Sequence, residues 1–219
     1  MARMKTYLLL ILLWMTAAVW AADAPASQPV CTNAATQAVT KKPDVVYVPT
    51  PQPVVEKMLE LAEVKAGDVV YDLGCGDGRI VVTAAKKYGV KAKGFDIDPE
   101  RVKEALANVC SNKVEHLVTI EQKDIFTLDL REATVVCLYL LPSLNVKLMP
   151  QLAQMRPGSR IVSHDFDMRG AKPVAVVRVT AQNGESDDTD YESEHTIYKW
   201  VVPWEKEESD GADQKKENQ

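Results

Sequence analysis

Short apolar runs alternate with amphipathic segments from residue 44 to residue 204. Apolar positions at helical spacing predict helices that begin near residues 50, 79, 98 and 142, each next to a Pro or Gly that favours a helix end. Between and after these helices, runs of apolar and β-branched residues predict strands. The seven predicted strands cover 68–73, 91–96, 114–121, 133–140, 160–163, 174–179 and 196–202.

The order of these elements predicts an α/β fold. Strands that alternate with helices form a parallel sheet covered on both faces, and the last two strands flank a polar connection typical of an antiparallel hairpin. We therefore expect a Rossmann-like, seven-stranded, mostly parallel sheet with an antiparallel C-terminal hairpin and helices on both faces. Ligands of such sheets bind at the carboxyl ends of the strands.

The two ends of the chain differ from this pattern. Residues 1–21 begin with Arg3 and Lys5 and continue with an apolar run at 7–20, which predicts a signal peptide cleaved after Ala21. An uncleaved membrane anchor through residues 7–21 is the alternative. Residues 22–43 have the composition of a linker, 44–204 form the domain, and 205–219 are expected to be a disordered acidic tail.

Composition narrows the class of protein. The chain has 219 residues, 46% of them hydrophobic, and a formal net charge of −5. This suits one globular domain and excludes a general nucleic-acid binder, so no nucleic-acid partner is expected. The four cysteines show neither zinc-ligand spacing nor a disulfide framework, and no metal site is predicted.

The most informative motif is a glycine loop between the first strand and the second helix, with the sequence DLGCGDG at 72–78. Glycines at alternate positions let the backbone approach a ligand closely. The spacing is neither that of dinucleotide enzymes nor that of a phosphate-binding P-loop, and an acid before the first glycine would repel a pyrophosphate. It suits a phosphate-free ligand with an ammonium group. The loop residues expected to contact this ligand are Asp72, Gly74, Cys75, Gly76, Asp77 and Gly78.

Acidic residues also end the next two strands. Asp96 stands where a carboxylate accepts both hydroxyls of a ribose, and Ile97 follows it as an apolar surface for adenine. At the end of the third strand, Asp124 is placed to accept from an adenine amino group, and Ile125 supplies an apolar wall. These positions describe an adenosine with a cationic, amino-acid-like arm, which is S-adenosylmethionine.

This pattern resembles the class I S-adenosylmethionine-dependent methyltransferases, through residues 72–78, Asp96 and Asp124. The segments 47–51, 72–81 and 163–166 further resemble small bacterial relatives of mitochondrial protein-lysine methyltransferases, which modify lysines of inner-membrane proteins. The resemblance implies that Tyr47 and Thr50 cover the methionine arm of the cofactor. For Thr50, a role as a helix cap is the alternative.

The acceptor end of the site carries less information. Leu140-Leu141-Pro142-Ser143 replaces the Asn/Asp-Pro-Pro-Tyr of enzymes that methylate planar nitrogens, which argues against adenine-N6 and glutamine as acceptors. Tyr139, His164 and Asp165 are candidate substrate residues, with structural roles as the alternative. His116 and His195, placed at the starts of the third and last strands, are interpreted as structural. No catalytic residue is assigned, because displacement at a sulfonium methyl chiefly requires alignment and exclusion of water.

We therefore expect an S-adenosylmethionine-dependent methyltransferase that acts on a lysine nitrogen of a protein, including membrane proteins, and that is exported to the periplasm or secreted. One alternative is an N-, O- or S-methyltransferase with a small-molecule acceptor. Another is a non-catalytic S-adenosylmethionine-binding module, because S-adenosylmethionine is made in the cytosol. The sequence does not predict the oligomeric state.

Overall fold

The computed structural model of the chain describes residues 42–43, 45–182 and 192–207. The predicted signal peptide or anchor at 1–21 lies outside the described residues. The same holds for nearly all of the 22–43 linker, for most of the acidic connection before the last strand, and for residues 208–219. Among the helices of the described part, none is both long and apolar enough to cross a membrane.

A seven-stranded sheet forms the centre of the fold, in the order β3-β2-β1-β4-β5-β7-β6. Strands β1 to β5 pair in parallel, and β7 is antiparallel to both of its neighbours. The predicted fold class is therefore confirmed. The strands are β1 (Val69–Leu73), β2 (Lys91–Asp96), β3 (Val118–Gln122), β4 (Val135–Leu138), β5 (Arg160–His164), β6 (Ala175–Gln182) and β7 (Glu192–Val201).

Four helices connect these strands: α1 (Gln52–Leu61), α2 (Arg79–Tyr88), α3 (Pro99–Ser111) and α4 (Pro142–Leu152). Three of them carry Pro in the first turn, where its fixed φ suits a helix and its missing N–H costs nothing. Asp98 caps α3 by accepting from the Glu100 backbone N–H at 2.9 Å. The predicted helix starts are thus confirmed to within about two residues.

Apolar side chains fill both faces of the sheet. Alternate residues of β4 point to opposite sides, so that Val135 and Cys137 join a cluster with α1, α2 and α3, whereas Val136 and Leu138 join one with α4 and Trp200. A continuous apolar run such as β4 is therefore explained by burial on both faces.

Three predicted strand boundaries were wrong. β6 extends to Gln182 instead of ending at residue 179. β3 begins at Val118 instead of residue 114, because Lys113 adopts a left-handed φ of 58° and the chain turns before it extends. His116 lies in this turn and does not begin the strand. β7 begins at Glu192, so His195 lies inside the strand and not at its start. A 3-10 helix at Ile125–Thr127 was not predicted.

The cysteines and the start of the tail also differ from expectation. Cys75 and Cys137 are free and buried, but Cys110 is disulfide-bonded. The expectation of no disulfide was therefore wrong at Cys110. Residues 205–207, assigned to the acidic tail from sequence, pair with the segment 170–172 through backbone hydrogen bonds.

A buried ion pair joins the amino ends of β1, β4 and β5, at the edge of the sheet opposite the glycine loop. The Arg160 guanidinium donates to Asp68 Oδ2 at 2.5 Å, and Thr134 donates to Asp68 Oδ1 at 2.7 Å. Burial alone would raise the pKa of the Asp68 carboxyl, but the hydrogen bonds from Arg160 and Thr134 outweigh it and lower that pKa.

We predict that Arg160→Ala lowers the free energy of unfolding by about 3–5 kcal/mol at neutral pH, because it leaves the Asp68 charge buried without its partner. Arg178→Ala is the matched control: Arg178 pairs with Glu194 on the surface, and its loss should cost less than about 1 kcal/mol. The free energy of unfolding of both variants and of the wild type is measured by urea unfolding, monitored by circular dichroism.

The difference in the free energy of unfolding between the wild type and Arg160→Ala should become smaller as the pH is lowered. The lowered pKa of Asp68 means that its pair stabilises the wild type above the unfolded-state pKa and that this stabilisation is lost as the pH falls through the folded-state pKa. Equal stabilities of the Arg160→Ala and Arg178→Ala proteins at neutral pH would contradict the prediction.

Candidate functional site

One cavity of about 510 Å³ opens at the carboxyl ends of β1, β2 and β3. The parallel register brings Asp72 opposite Gly94 and Asp96 opposite Gln122, so the tips of the three strands meet at one edge. Eleven of the predicted site residues line this cavity: Tyr47, Thr50, Asp72, Gly74, Cys75, Asp77, Asp96, Ile97, Asp124, Ile125 and Tyr139. Gly76, Gly78, His164 and Asp165 do not line it.

The glycine loop is fastened to the tip of β2. The backbone N–H groups of Gly74 and Cys75 donate to the Phe95 carbonyl at 2.8 and 2.9 Å, and that of Gly76 donates to Asp96 Oδ2 at 2.9 Å. Asp96 also accepts from the Asp98 backbone N–H at 3.0 Å. Asp96 thus fixes the loop as well as lining the cavity.

Gly76 has no room for a side chain. Its φ is +52°, and a Cβ built on it would stand 2.1 Å from the Tyr47 ring. The ring therefore lies directly on the loop backbone, where it covers the cavity from the side of residues 45–50. Burial, and then the nearby Asp77 charge, raise the pKa of Tyr47 to about 12, so its hydroxyl stays protonated.

Two arginines that the sequence analysis did not single out hold this segment in place. Arg79 donates to the Asp77 carboxylate at 2.7 Å and to the Thr50 carbonyl at 2.8 Å, which ties the segment to the start of α2. The Arg101 guanidinium lies 4.8 Å from the centre of the Tyr47 ring. The position of Arg79 directly after the glycine loop was the available sequence signal.

Thr50 does not cap α1, so that alternative was wrong. The helix is preceded by Pro51 and has no side-chain cap. The Thr50 side chain is instead buried, with its Oγ1 3.2 Å from His164 Nδ1. Thr50 thereby connects the cavity to a polar cluster behind it.

Asp72 is the electrostatic centre of the cavity. Its side chain is almost fully buried, and within the described part of the chain its carboxylate has no hydrogen-bond partner. Burial first, and then the charges of Asp96 and Asp77, raise the pKa of Asp72 to about 8. A buried carboxylate without a cation is costly, so a cationic ligand group at this point is strongly favoured.

The tip of β3 supplies the opposite, more apolar wall. Asp124 accepts from the Phe126 backbone N–H at 3.1 Å and so begins the 3-10 helix that presents Ile125 and Phe126 to the cavity. The Lys147 ammonium lies 3.7 Å from the centre of the Phe126 ring. Phe126 was missed because a 3-10 turn leaves no periodic pattern in the sequence.

The end of the cavity near β4 and β5 is aromatic. The rings of Tyr139 and Phe166 are stacked with centroids 6.0 Å apart, and Tyr139 also packs on His164 with centroids 3.9 Å apart. Burial, and then the charge of Asp165, raise the pKa of Tyr139. An aromatic, desolvated end of this kind suits a neutral nucleophile with an apolar stem.

His164 and Asp165 lie behind the aromatic end. His164 is fully buried, which lowers its pKa and keeps its ring neutral. Asp165 adopts a left-handed φ of 56° and accepts from the Thr196 backbone N–H at 2.8 Å. His195, interpreted from sequence as structural, lies in contact with both. Sequence alone did not link His195 to the site, because it lies 31 residues after His164 and the two form no recognisable motif.

Comparison with known proteins identifies the family. The family model for the ANTKMT methyltransferase domain matches residues 72–175. A protein-lysine N-methyltransferase of Saccharolobus islandicus (strain REY15A) is 46% identical over 162 residues, which are 73% of this chain and 95% of that relative. The adenine nucleotide translocase lysine N-methyltransferase of Mus musculus is 36% identical over 135 residues, covering 61% of this chain and 58% of that protein.

A solved structure supports the same assignment. A crystal structure described as an RNA methyltransferase from Salinibacter ruber in complex with S-adenosyl-L-homocysteine is 48% identical, with a TM-score of 0.62, and covers 71% of this chain and 94% of that one. The predicted cofactor and enzyme class are thereby confirmed: the chain is an S-adenosylmethionine-dependent methyltransferase and belongs to the family of the Saccharolobus islandicus protein-lysine N-methyltransferase.

Proposed function

We propose that the cavity holds S-adenosylmethionine with its ammonium group at Asp72, its ribose at Asp96 and its adenine between Ile97 and Ile125, beside Asp124. The observation that carries this assignment is the buried Asp72 carboxylate, which has no partner among the described residues and which a cationic amino-acid arm would neutralise. The apolar side chains at the tips of β2 and β3 suit a flat base.

The bound cofactor supplies an activated methyl group, and the protein positions the acceptor and excludes water. The segment from Tyr47 to Thr50, held by Arg79, covers the cavity beside the glycine loop. Tyr139 and Phe166 line its aromatic end. Desolvation there favours the neutral form of an amine, which is the form that attacks.

We infer that the acceptor is the ε-amino group of a protein lysine. Its aliphatic stem suits the aromatic end of the cavity. Three of the cavity-lining side chains, Val46, Val48 and Leu141, are large, apolar and exposed. Such a rim suits contact with another macromolecule, including a membrane protein, better than capture of a free small molecule. Two relatives named for lysine methylation support this inference.

RNA is the second acceptor class, because the Salinibacter ruber structure carries that description. The net charge of −5 and the acidic cavity disfavour it in this chain, since RNA binding depends on positive surface charge.

We also propose that the protein works outside the cytosol, exported by residues 1–21 or anchored through residues 7–21. The positively charged start and the following apolar run support this. The disulfide at Cys110 supports it independently, because disulfides persist in oxidising compartments.

The raised pKa of Asp72 predicts a pH-dependent cofactor affinity. A ligand ammonium favours the ionised carboxylate, so binding releases the Asp72 proton and the affinity should rise as the pH increases toward about 8. Between about pH 6 and about pH 7.5, below the range where the ligand's own α-amino group titrates, the gain should approach tenfold per pH unit. Calorimetric titration with S-adenosylmethionine measures it.

Asp72→Asn is the control for this prediction. The variant removes the titrating group while keeping the shape of the side chain, so its weaker affinity should stay flat over the same pH interval. An equally steep pH dependence in Asp72→Asn would contradict the placement of the ammonium group.

Transfer of a labelled methyl group tests the acceptor. The full-length protein is incubated with methyl-labelled S-adenosylmethionine and, separately, with membrane proteins, soluble proteins and RNA of its source cells. We expect label in methyllysine, identified after acid hydrolysis.

Asp96→Ala should weaken cofactor binding by roughly 1–3 kcal/mol, whereas Asp129→Ala, at an exposed aspartate paired with Arg131, should not. Label confined to RNA would exclude protein lysine.

Fractionation tests the location. We expect the protein in the periplasm or medium with Ala22 as its first residue, or in the membrane fraction with its N-terminus intact. Mass spectrometry of the N-terminal peptide distinguishes the two. Recovery of a full-length chain from the cytosol would contradict export.

A further inference from the structure

A polar cluster behind the aromatic end of the cavity has the geometry of a metal site. We propose that His164, Asp165 and His195 bind a divalent transition-metal ion, Zn²⁺ in the first place. This proposal does not depend on which acceptor the enzyme methylates. It departs from the sequence analysis, which predicted no metal.

Three donor atoms face one another in this cluster. His164 Nε2 and His195 Nδ1 are 2.9 Å apart, and Asp165 Oδ2 lies 3.2 Å from each of them. Ligands at about 2.0–2.2 Å from a tetrahedral or octahedral ion stand roughly 2.9–3.5 Å from one another. The triangle therefore has nearly the dimensions that a metal ion requires.

The outer atom of each donor group is also held. His164 Nδ1 lies 3.2 Å from Thr50 Oγ1, and His195 Nε2 lies 2.8 Å from Ser193 Oγ. Asp165 Oδ1 accepts from the Thr196 backbone N–H at 2.8 Å. Metal-binding histidines characteristically donate from the second ring nitrogen, and a hydroxyl at each outer nitrogen can accept such a bond. These contacts therefore permit the tautomer that leaves the inner nitrogen unprotonated.

The placement of the ring protons decides whether the cluster needs a cation. When the protons point outward to Thr50 and Ser193, three lone pairs meet at one point, and a bound cation removes their repulsion. When the protons point inward, Asp165 accepts both of them and the cluster is closed without a metal. The outer hydroxyls of Thr50 and Ser193 can accept a ring proton or donate to the ring, so both arrangements fit the contacts, and metal titration distinguishes the two.

The backbone supports a ligand role for Asp165. This residue follows β5 with a φ of 56°, a left-handed conformation that Asp adopts more readily than most residues other than Gly. The turn brings its carboxylate back toward β7 and leaves the side chain 29% exposed, whereas His164 is fully buried. An ion can therefore enter from the Asp165 side and keep a water as its fourth ligand.

Two imidazoles and one carboxylate select the class of ion. This donor set suits Zn²⁺, Fe²⁺ and related divalent transition metals, and it disfavours Ca²⁺ and Mg²⁺, which prefer oxygen. The ion would join the end of β5 to β7. Because Thr50 and Tyr139 both contact His164, it would also brace the aromatic end of the cavity.

Calorimetric titration of the chelator-treated, full-length protein with ZnCl₂ tests the proposal. The protein must carry no histidine tag, because a tag binds Zn²⁺ itself and would mask binding by the three histidines of the chain. We expect one equivalent of Zn²⁺ to bind and to raise the melting temperature. In a parallel titration, Co²⁺ should develop visible absorption bands of a nitrogen- and oxygen-ligated ion.

Near-isosteric variants locate the site. His195→Gln and Asp165→Asn should lose the binding and the gain in melting temperature, and Ser193→Ala should weaken binding by about 10–100-fold. His116→Ala is the matched control, because His116 is an exposed histidine in a turn; it should bind Zn²⁺ like the wild type.

The wild-type titration alone can overturn the proposal, whatever the stability of the variants. A folded wild-type protein that binds no Zn²⁺ or Co²⁺ would show that the cluster is closed by its own protons. Undiminished binding in His195→Gln and Asp165→Asn, or loss of binding in His116→Ala, would place the metal elsewhere and equally overturn it.

Discussion

A carboxylate buried without a cation is the constraint around which the site is organised. Asp72 ends β1 inside the sheet, and its raised pKa records the cost of a charge there. Asp96 and Asp77 increase that cost, yet both have partners: Asp96 accepts from backbone N–H groups, and Asp77 is paired with Arg79. None of the described residues supplies the cation that Asp72 lacks, and the family's cofactor carries a cationic arm.

A set of contacts beside Asp72 builds the rest of the cavity. The bond from Gly76 to Asp96 closes the glycine loop on β2, and the absence of a side chain at Gly76 lets Tyr47 lie on that loop. Arg79 then secures the covering segment through the Thr50 carbonyl. Thr50 in turn contacts His164, so the cofactor end and the polar cluster behind the aromatic end are linked through one residue.

Most of the fold could be predicted from the sequence. The spacing of apolar residues marks the helices and strands, and Pro and Gly residues stand at the ends of these elements. The strand tips were equally predictable, since parallel strands place Asp72, Asp96 and Asp124 at one edge. The predictions that failed concern features that depend on the folded chain and not on the local sequence pattern. His195 reaches His164 only through the antiparallel pairing of β7 with β5, and the turn before β3 arises from a left-handed Lys113.

We expect a ligand cation to compensate the Asp72 carboxylate. A crystal structure of the protein with S-adenosylhomocysteine, which keeps the same amino-acid arm, is the decisive measurement. We predict that the ligand's ammonium nitrogen lies within hydrogen-bond distance of Asp72 and that its ribose hydroxyls lie at Asp96. A ligand bound in the cavity with no cationic group against Asp72, or bound outside the cavity, would contradict this placement.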